Sequence, residues 1–190
     1  MKTIVKTVLA LSITSAVLSV TFETGFLQND SMSPNASDGQ IVVYNHIAYD
    51  LHQPYSDQII MSLNNPVRGD FVTLNRKYYP HQYGRVVALP NEVVSMNNFM
   101  IQIYGQSFRY NQYKQETNKH SQPVAIYASE ETDKGIYGVR ITASPNASFQ
   151  PSKVPEGVYM VIPDNRITPY TDHRYLFVPR EHITGKVITF

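Results

Sequence analysis

The chain has 190 residues, 16 Lys plus Arg against 15 Asp plus Glu, and a formal net charge of +1. This balance excludes the broad basic field with which a protein holds nucleic acid. The chain has no cysteine, which excludes disulfides, thiol catalysis and cysteine-ligated zinc. Its length is sufficient for one domain with a buried core.

The first 25 residues predict an N-terminal membrane anchor. Lys2 and Lys6 precede an uncharged run over residues 7–22. As a helix this run measures about 24 Å, slightly less than the ~30 Å hydrocarbon core, and lysine snorkelling makes up the difference. Lysines ahead of the run favour a cytoplasmic amino terminus and an external main domain, residues 26–190. A cleavable signal peptide is the competing interpretation, and in both the main domain is exported.

After the anchor, short runs rich in Val, Ile and Tyr predict a mostly β fold. Two such runs flank YYPHQ, which predicts a hairpin that turns near Pro80. VVSMNNFMIQIYGQSFRYNQY predicts another pair with its turn at MNN, and GVYMVIPDNR and RYLFVPREHITGKVITF predict the last strands. Residues 111–150 are polar and predict an inserted subdomain or surface loops.

Taken singly, the polar motifs carry little chemistry. Ser31 in NDSMSPN is typical of a serine that makes local hydrogen bonds before a turn. RGD at 68–70 predicts a turn before a strand rather than an adhesion motif. DNR at 164–166 and DHR at 172–174 indicate either a buried ion-pair cluster or a polar loop. The six histidines show no i,i+4 pair, so we expect no metal site.

Four of these segments, in this order, resemble the boxes of type I signal peptidase, the bacterial leader peptidase family. The S-M-x-P box is SMSP from Ser31, and the R-G-D strand opening is RGDFVTL. The K-R-V-x-x-L-P-G-D box is similar to GRVVALPNE, and the closing box is similar to VPEGVYMVIPDNRITPYTDHRYLFVP. The spacer HIAYDLHQPYSDQIIMSLNNPVRGD looks like that of the Gram-negative branch. The resemblance is weakest over residues 111–150.

The resemblance implies a β-sheet, barrel-like catalytic domain behind an N-terminal transmembrane helix that stays attached. The implied activity is that of a membrane-bound serine endopeptidase, which cleaves signal peptides from exported precursors after small residues. The family uses a Ser–Lys dyad, in which a lysine with a lowered pKa acts as general base. The implied location is the bacterial inner membrane with the main domain in the periplasm. The implied partners are preproteins, the lipid bilayer and an unidentified part of the secretion machinery, with no cofactor.

Carried over residue by residue, the resemblance makes Ser31 the nucleophile. The Ser31 N–H becomes one oxyanion donor and the Asn29 amide the second. Six polar residues are expected to support the site, with the last two as a partly buried structural pair: Arg85, Asp164, Asn165, Arg166, Asp172 and Arg174. Four residues are expected to line the substrate pockets: Phe26, Leu27, Met32 and Tyr83.

The chain departs from the family where the base should stand. That position is Gly84, and the serine that orients the lysine has no clear counterpart near Tyr170 or Thr171. With a turn near Pro80, the residue facing Gly84 across the hairpin is expected to be Arg76 or Lys77. Lys77 is then a candidate substitute base.

His173 has a suitable pKa for a base but is expected to face away from the site. Three hypotheses therefore remain open. The chain is a serine endopeptidase with a base from elsewhere, a catalytically impaired paralogue that binds extended peptides or assists secretion, or an exported β domain without a peptide site. We expect little or no cleavage by the native chain and a partial gain from Gly84→Lys.

Overall fold

The computed structural model describes residues 21–53, 58–79, 82–142, 148–166 and 176–190. A 3-10 turn, Arg180–His182, precedes the last strand. The described residues contain seventeen strands: β1 Phe22–Phe26, β2 Ile41–Asn45, β3 Asp50–His52, β4 Ile59–Ser62, β5 Phe71–Leu74, β6 Tyr83–Ala88, β7 Val93–Asn97, β8 Met100–Ile103, β9 Gln106–Ser107, β10 Arg109–Thr117, β11 Pro123–Thr132, β12 Gly135–Thr142, β13 Phe149–Lys153, β14 Val158–Ile162, β15 Asn165–Arg166, β16 Phe177–Pro179 and β17 Ile183–Ile188. The prediction of a mostly β fold is confirmed.

The strands form one large sheet and three smaller ones. The seven-stranded sheet has the order β1-β2-β17-β5-β6-β14-β16, and the two four-stranded sheets have the orders β10-β11-β12-β15 and β13-β7-β8-β9. β3 and β4 form a separate hairpin. The β12–β15 pair is parallel.

The core consists of three clusters of buried side chains, and β6 contributes to all of them. All six of its residues are buried, as expected for a strand covered on both faces. Tyr83 packs with Met32, Val86 belongs to the second cluster, and Val87 and Ala88 belong to the third. β6 therefore connects the Ser31 region with the rest of the core.

The predicted hairpin around YYPHQ is present as the antiparallel pair β5–β6, but the expected register is wrong. Val72, rather than Arg76 or Lys77, faces Gly84. The reason is that β5 ends at Leu74 and the next residues form a turn, in which the N–H of Tyr78 donates to the carbonyl of Asn75 over 3.1 Å. Pro80 itself lies outside the described residues.

Three other local predictions concern the β7–β8 hairpin, the RGD segment and the polar stretch over residues 111–150. The β7–β8 pair is present, and its turn lies at Asn98 and Phe99, whose φ values of 48° and 64° are typical of a type I′ hairpin. The RGD segment forms the predicted turn before β5, with a positive φ at Gly69. Residues 111–142 are not surface loops throughout, because β10, β11 and β12 pair as an antiparallel meander. The alternative, an inserted subdomain over residues 111–150, stays a prediction.

Only residues 21–25 of the predicted anchor lie in the part of the chain that the structure describes. β1 begins at Phe22 and pairs with β2, so residues 22–25 belong to the seven-stranded sheet and not to the anchor. Residues 1–20 lie outside the described residues. In the part of the chain that the structure describes, no helix has the length and apolar character needed to cross a membrane.

Candidate active site

Ser31 lies in the β1–β2 loop, residues 27–40, which closes on itself at its ends. The N–H of Leu27 donates to the carbonyl of Gln40 over 3.0 Å, and the N–H of Gly39 donates to the carbonyl of Leu27 over 2.9 Å. Leu27 and Met32 are fully buried and pack in one cluster with Tyr83. The apolar residues on either side of Ser31 therefore hold the loop against the core.

Two asparagines fasten this loop to the opposite sheet. The Oδ1 of Asn35 accepts from the N–H of Gly138 over 2.9 Å, and its Nδ2 donates back to the Gly138 carbonyl over 2.6 Å. The N–H of Asn165 donates to the carbonyl of Ser31 over 2.9 Å, and the Asn165 Nδ2 donates to the carbonyl of Asp30 over 3.0 Å. The structure thus brings Asn165 into direct contact with Ser31.

Asp164 and Arg85 form a buried ion pair behind the loop. Arg85 donates from Nε to Asp164 Oδ1 over 2.8 Å and from Nη2 to Oδ2 over 2.6 Å. Asn35 adds a third donor to Asp164 over 2.6 Å. Burial acts to lower the pKa of Arg85, but the Asp164 carboxylate outweighs it and holds that pKa above its ordinary value. Arg85 therefore stays protonated in this buried site.

Arg166 points away from Ser31. It forms a fully buried pair with Glu130, with distances of 2.7 and 3.0 Å from its two Nη atoms to the carboxylate oxygens. Glu130 also accepts from the hydroxyl of Tyr110. The buried ion-pair interpretation of the DNR motif is confirmed. Asp164 makes contact with the β1–β2 loop, whereas Arg166 pairs with Glu130 within the β10-β11-β12-β15 sheet. The sequence analysis missed both residues: Glu130 stands in no recognisable motif, and Asn35 directly follows the SMSP box without being part of it.

The surroundings of Ser31 differ from those of the expected oxyanion site. Its Oγ is buried and has no hydrogen-bond partner among the described residues. Its N–H donates to Asn29 Oδ1 over 2.9 Å, a contact that asparagine commonly makes with the backbone two residues ahead. The Asn29 Oδ1 therefore accepts from the N–H that the sequence predicts as an oxyanion donor. Donation by the Asn29 Nδ2 to an oxyanion stays a prediction.

No base stands at Gly84, and the space for one is filled. A Cβ added to Gly84 would lie 2.5 Å from Val161 Cγ1 and 3.4 Å from the carbonyl carbon and oxygen of Ile162. Val161 is itself fully buried. Lys77 is exposed, and its Nζ lies 5.4 Å from the centre of the Tyr78 ring. The register of the hairpin removes the reason for assigning Lys77 as the substitute base.

A cleft of about 480 Å³ opens beside this loop; we call it the β1 cleft. Phe26, 63% exposed, lies on its wall, and Tyr83 also lines it. Leu27 and Met32 do not line it, because both side chains are buried in the core cluster with Tyr83. Their role in a substrate pocket stays a prediction. The cleft is lined by Glu23, Gly25, Phe26, Gln28, Tyr44, His46, Thr73, Leu74, Asn75, Arg76, Gln82, Tyr83 and Thr184.

Two further expectations concern the closing box and metals. Asp172, Arg174 and the neighbouring His173 lie outside the described residues. Within the described ranges, no group of three or more His, Cys, Asp or Glu side chains is arranged as metal ligands would be.

Comparison with known proteins shows the family. The family described as "Signal peptidase, peptidase S26" matches residues 1–190. Signal peptidase I of Leptolyngbya laminosa is 25% identical over 182 residues, which cover 95% of this chain and 72% of that protein. Probable signal peptidase I-2 of Synechocystis sp. is 25% identical, with coverage of 86% and 60%. Signal peptidase I of Bacillus licheniformis is 28% identical, with coverage of 76% and 62%. The chain thus spans about three fifths of the length of the last two relatives. With the whole sequence matched and the serine loop built against the DNR segment, the chain belongs to the peptidase S26 family and is signal peptidase I-like.

Proposed function

We propose that this protein binds an extended segment of exported precursors in the β1 cleft, as a signal peptidase I-like protein without an efficient general base. The observation that carries this is the space at Gly84, which Val161 fills. A serine hydroxyl needs a neighbouring base to become a nucleophile at neutral pH. Loss of a positioned base costs about 10²–10⁴ in rate, so cleavage is expected to be weak or absent.

The binding mode is supported by the edge of the large sheet. In the described part of the chain, β1 pairs with β2 and with no other strand. Unpaired backbone groups on an edge strand can accept an extended peptide as an additional strand. β1 also supplies Glu23, Gly25 and Phe26 to the cleft wall. A peptide added along this edge would run toward Ser31, five residues beyond the end of β1.

A working serine endopeptidase is the second candidate, and one observation favours it. The Oγ of Ser31 is buried without a partner among the described residues, whereas buried hydroxyl groups are usually hydrogen-bonded. A buried hydroxyl without a partner calls for an explanation, and a catalytic role at the nucleophile position is one such explanation. In that case the base comes from a group other than the residue at position 84.

The location that we propose is the inner membrane of a Gram-negative cell. The anchor would cross it once, and the main domain would face the periplasm. Lys2 and Lys6 ahead of the uncharged run support this orientation. Phe22 and Val67, 40% and 50% exposed, line a common surface cleft where the described chain begins. Exposed apolar side chains at that point suit contact with the bilayer.

The test measures binding and cleavage separately. The full chain in detergent micelles is mixed with a precursor peptide in which Ala-x-Ala ends the signal segment and several further residues follow it. Binding is followed by fluorescence anisotropy and cleavage by mass spectrometry, for the native chain and for Ser31→Ala. We expect equal binding by both and little or no cleavage by either. Strong native cleavage that Ser31→Ala abolishes would establish the working peptidase instead, and absence of binding would contradict both candidates.

A further inference from the structure

Arg76 differs from the other arginines that the structure describes, because it has no carboxylate partner. Its Nη2 donates to Gln28 Oε1 over 2.8 Å, and its side chain is exposed. The other six described arginines each form an ion pair: Arg68, Arg85, Arg109, Arg140, Arg166 and Arg180. One arginine in the described chain therefore keeps an unneutralised charge, and it lies in the β1 cleft.

The contact with Gln28 holds the Arg76 charge against the β1–β2 loop. Gln28 lies three residues before Ser31, and both Gln28 and Arg76 line the cleft. A guanidinium has five N–H donors, and the bond to Gln28 uses one of them. The planar group matches a carboxylate through two parallel hydrogen bonds. Arg76 is thus arranged to receive an acidic group that enters the cleft.

The remaining charges in the cleft do not neutralise Arg76. Glu23 is paired with His46, with 2.9 Å between the carboxylate and Nε2. Tyr44 lies over the backbone of Gly25 and shares a hydrogen bond of 3.0 Å with the hydroxyl of Tyr83. The hydroxyls of these two tyrosines add polar atoms to the lining of the cleft. Arg76 is therefore the cationic side chain of this cleft that pairs with no carboxylate among the described residues.

We propose that the β1 cleft selects extended peptides that carry an acidic side chain, aspartate or glutamate, for Arg76 to bind. This inference rests on the proposed function, since it assumes that a peptide lies in the cleft. It adds a substrate class that small residues at the cleavage site do not define. Electrostatic complementarity contributes to specificity in this way, since peptides without the acidic group leave Arg76 unpaired.

The experiment uses the full chain in uncharged detergent micelles and short alanine-rich peptides. A single glutamate is placed at each position in turn, and a matched series carries glutamine. Anisotropy titrations compare the native chain with Arg76→Gln and with Arg109→Gln. Arg109→Gln is the control. It removes the same charge from a surface ion pair elsewhere in the chain, where the Arg109 side chain is 73% exposed. Circular dichroism confirms that each variant is folded.

We expect one glutamate position at which the native chain binds about tenfold more tightly than the glutamine peptide, the factor that about 1.4 kcal/mol produces. Arg76→Gln should lose this preference and Arg109→Gln should keep it. Arg76→Glu should instead prefer peptides with lysine at that position. Equal binding of both series by the native chain, or a preference that survives Arg76→Gln, overturns the inference while the proposed function stands. If neither series binds, the proposed function fails and the inference fails with it.

Discussion

At the scale of single residues, Gly84 is a packing residue. It lies in a fully buried strand, and the side chain it lacks would overlap Val161 of β14. Glycine therefore allows β6 and β14 to approach closely at this point. Replacing it affects the stability of the sheet before it affects catalysis.

Gly84→Ala is expected to lower the free energy of unfolding by about 1–3 kcal/mol, because the added methyl group overpacks the core. Val161→Ala removes the clashing atom, so the double variant should lose less than the sum of the two single losses. Urea denaturation of the four proteins measures this. Additive losses would mean that the two residues do not compete for the same space.

Gly84→Lys by itself is expected to destabilise the protein and to leave cleavage at the native level, because its side chain cannot leave the backbone without displacing Val161. This replaces the expectation from the sequence that the single change restores part of the dyad. A gain in cleavage is expected only when Val161→Ala accompanies it. A cleavage assay on a signal-peptide substrate compares the single variant with the double variant. A gain in the single variant would show that β14 shifts to make room for the lysine side chain.

Asp164 is the ion-pair partner of Arg85 in a buried site. The exposed fraction of the side chain is 0% for Asp164 and 8% for Arg85. Asp164→Ala leaves the guanidinium buried and unpaired, so we expect a loss of about 3–5 kcal/mol in the free energy of unfolding. Glu131→Ala, which breaks the exposed pair with Arg109, is the control and should change stability by less than about 1 kcal/mol. Similar melting curves for the two variants would contradict a structural role for Asp164.

At the scale of elements, the β1–β2 loop depends on contacts made far away in the sequence. Asn35 reaches Gly138 and Asp164, which are 103 and 129 residues away. Asn165 reaches the backbone of Ser31 and Asp30. The position of Ser31 therefore depends on the β10-β11-β12-β15 sheet and the DNR segment as well as on the loop itself.

Asn35→Ala should loosen this loop. The change removes hydrogen bonds to Gly138 and Asp164, so we expect a loss of about 1–3 kcal/mol and faster amide exchange around Ser31. Asn118→Ala is the matched control, since its hydrogen bonds stay within its own turn. Exchange measured by mass spectrometry should change near Ser31 in the first variant and not in the second. Unchanged exchange in Asn35→Ala would show that other contacts hold the loop.

At the scale of the whole molecule, buried tyrosines connect stability with alkaline pH. Burial raises the pKa of Tyr79 to about 12. Burial and the Asp70 carboxylate raise the pKa of Tyr49, and burial and Glu130 raise that of Tyr110. In the unfolded chain tyrosine ionises near its ordinary pKa of about 10. The stabilisation is therefore complete below about pH 10 and decreases above it.

We expect a constant melting temperature from about pH 7 to 9 and a steady fall between about pH 10 and 12. Thermal melts across this range, with tyrosinate absorbance recorded in parallel, measure both effects. Tyr49→Phe should make the fall shallower, because one raised pKa is removed. A melting temperature that does not change up to pH 12 would contradict the burial of these hydroxyls.

The sequence by itself determined the β class, the two hairpins, the order of the family boxes and the absence of lysine at position 84. These features depend on neighbouring residues, through strand propensity, turn chemistry and motif spacing. Only the tertiary structure decided that Val72 faces Gly84, because the hairpin turn begins at Asn75, earlier than its proline indicates. It also decided that Asp164 and Arg166 form separate buried ion pairs, and that Arg76 has no carboxylate partner whereas the other arginines that the structure describes have one. Such pairings join residues far apart in the chain, and no local pattern encodes which side chains the folded sheets bring together.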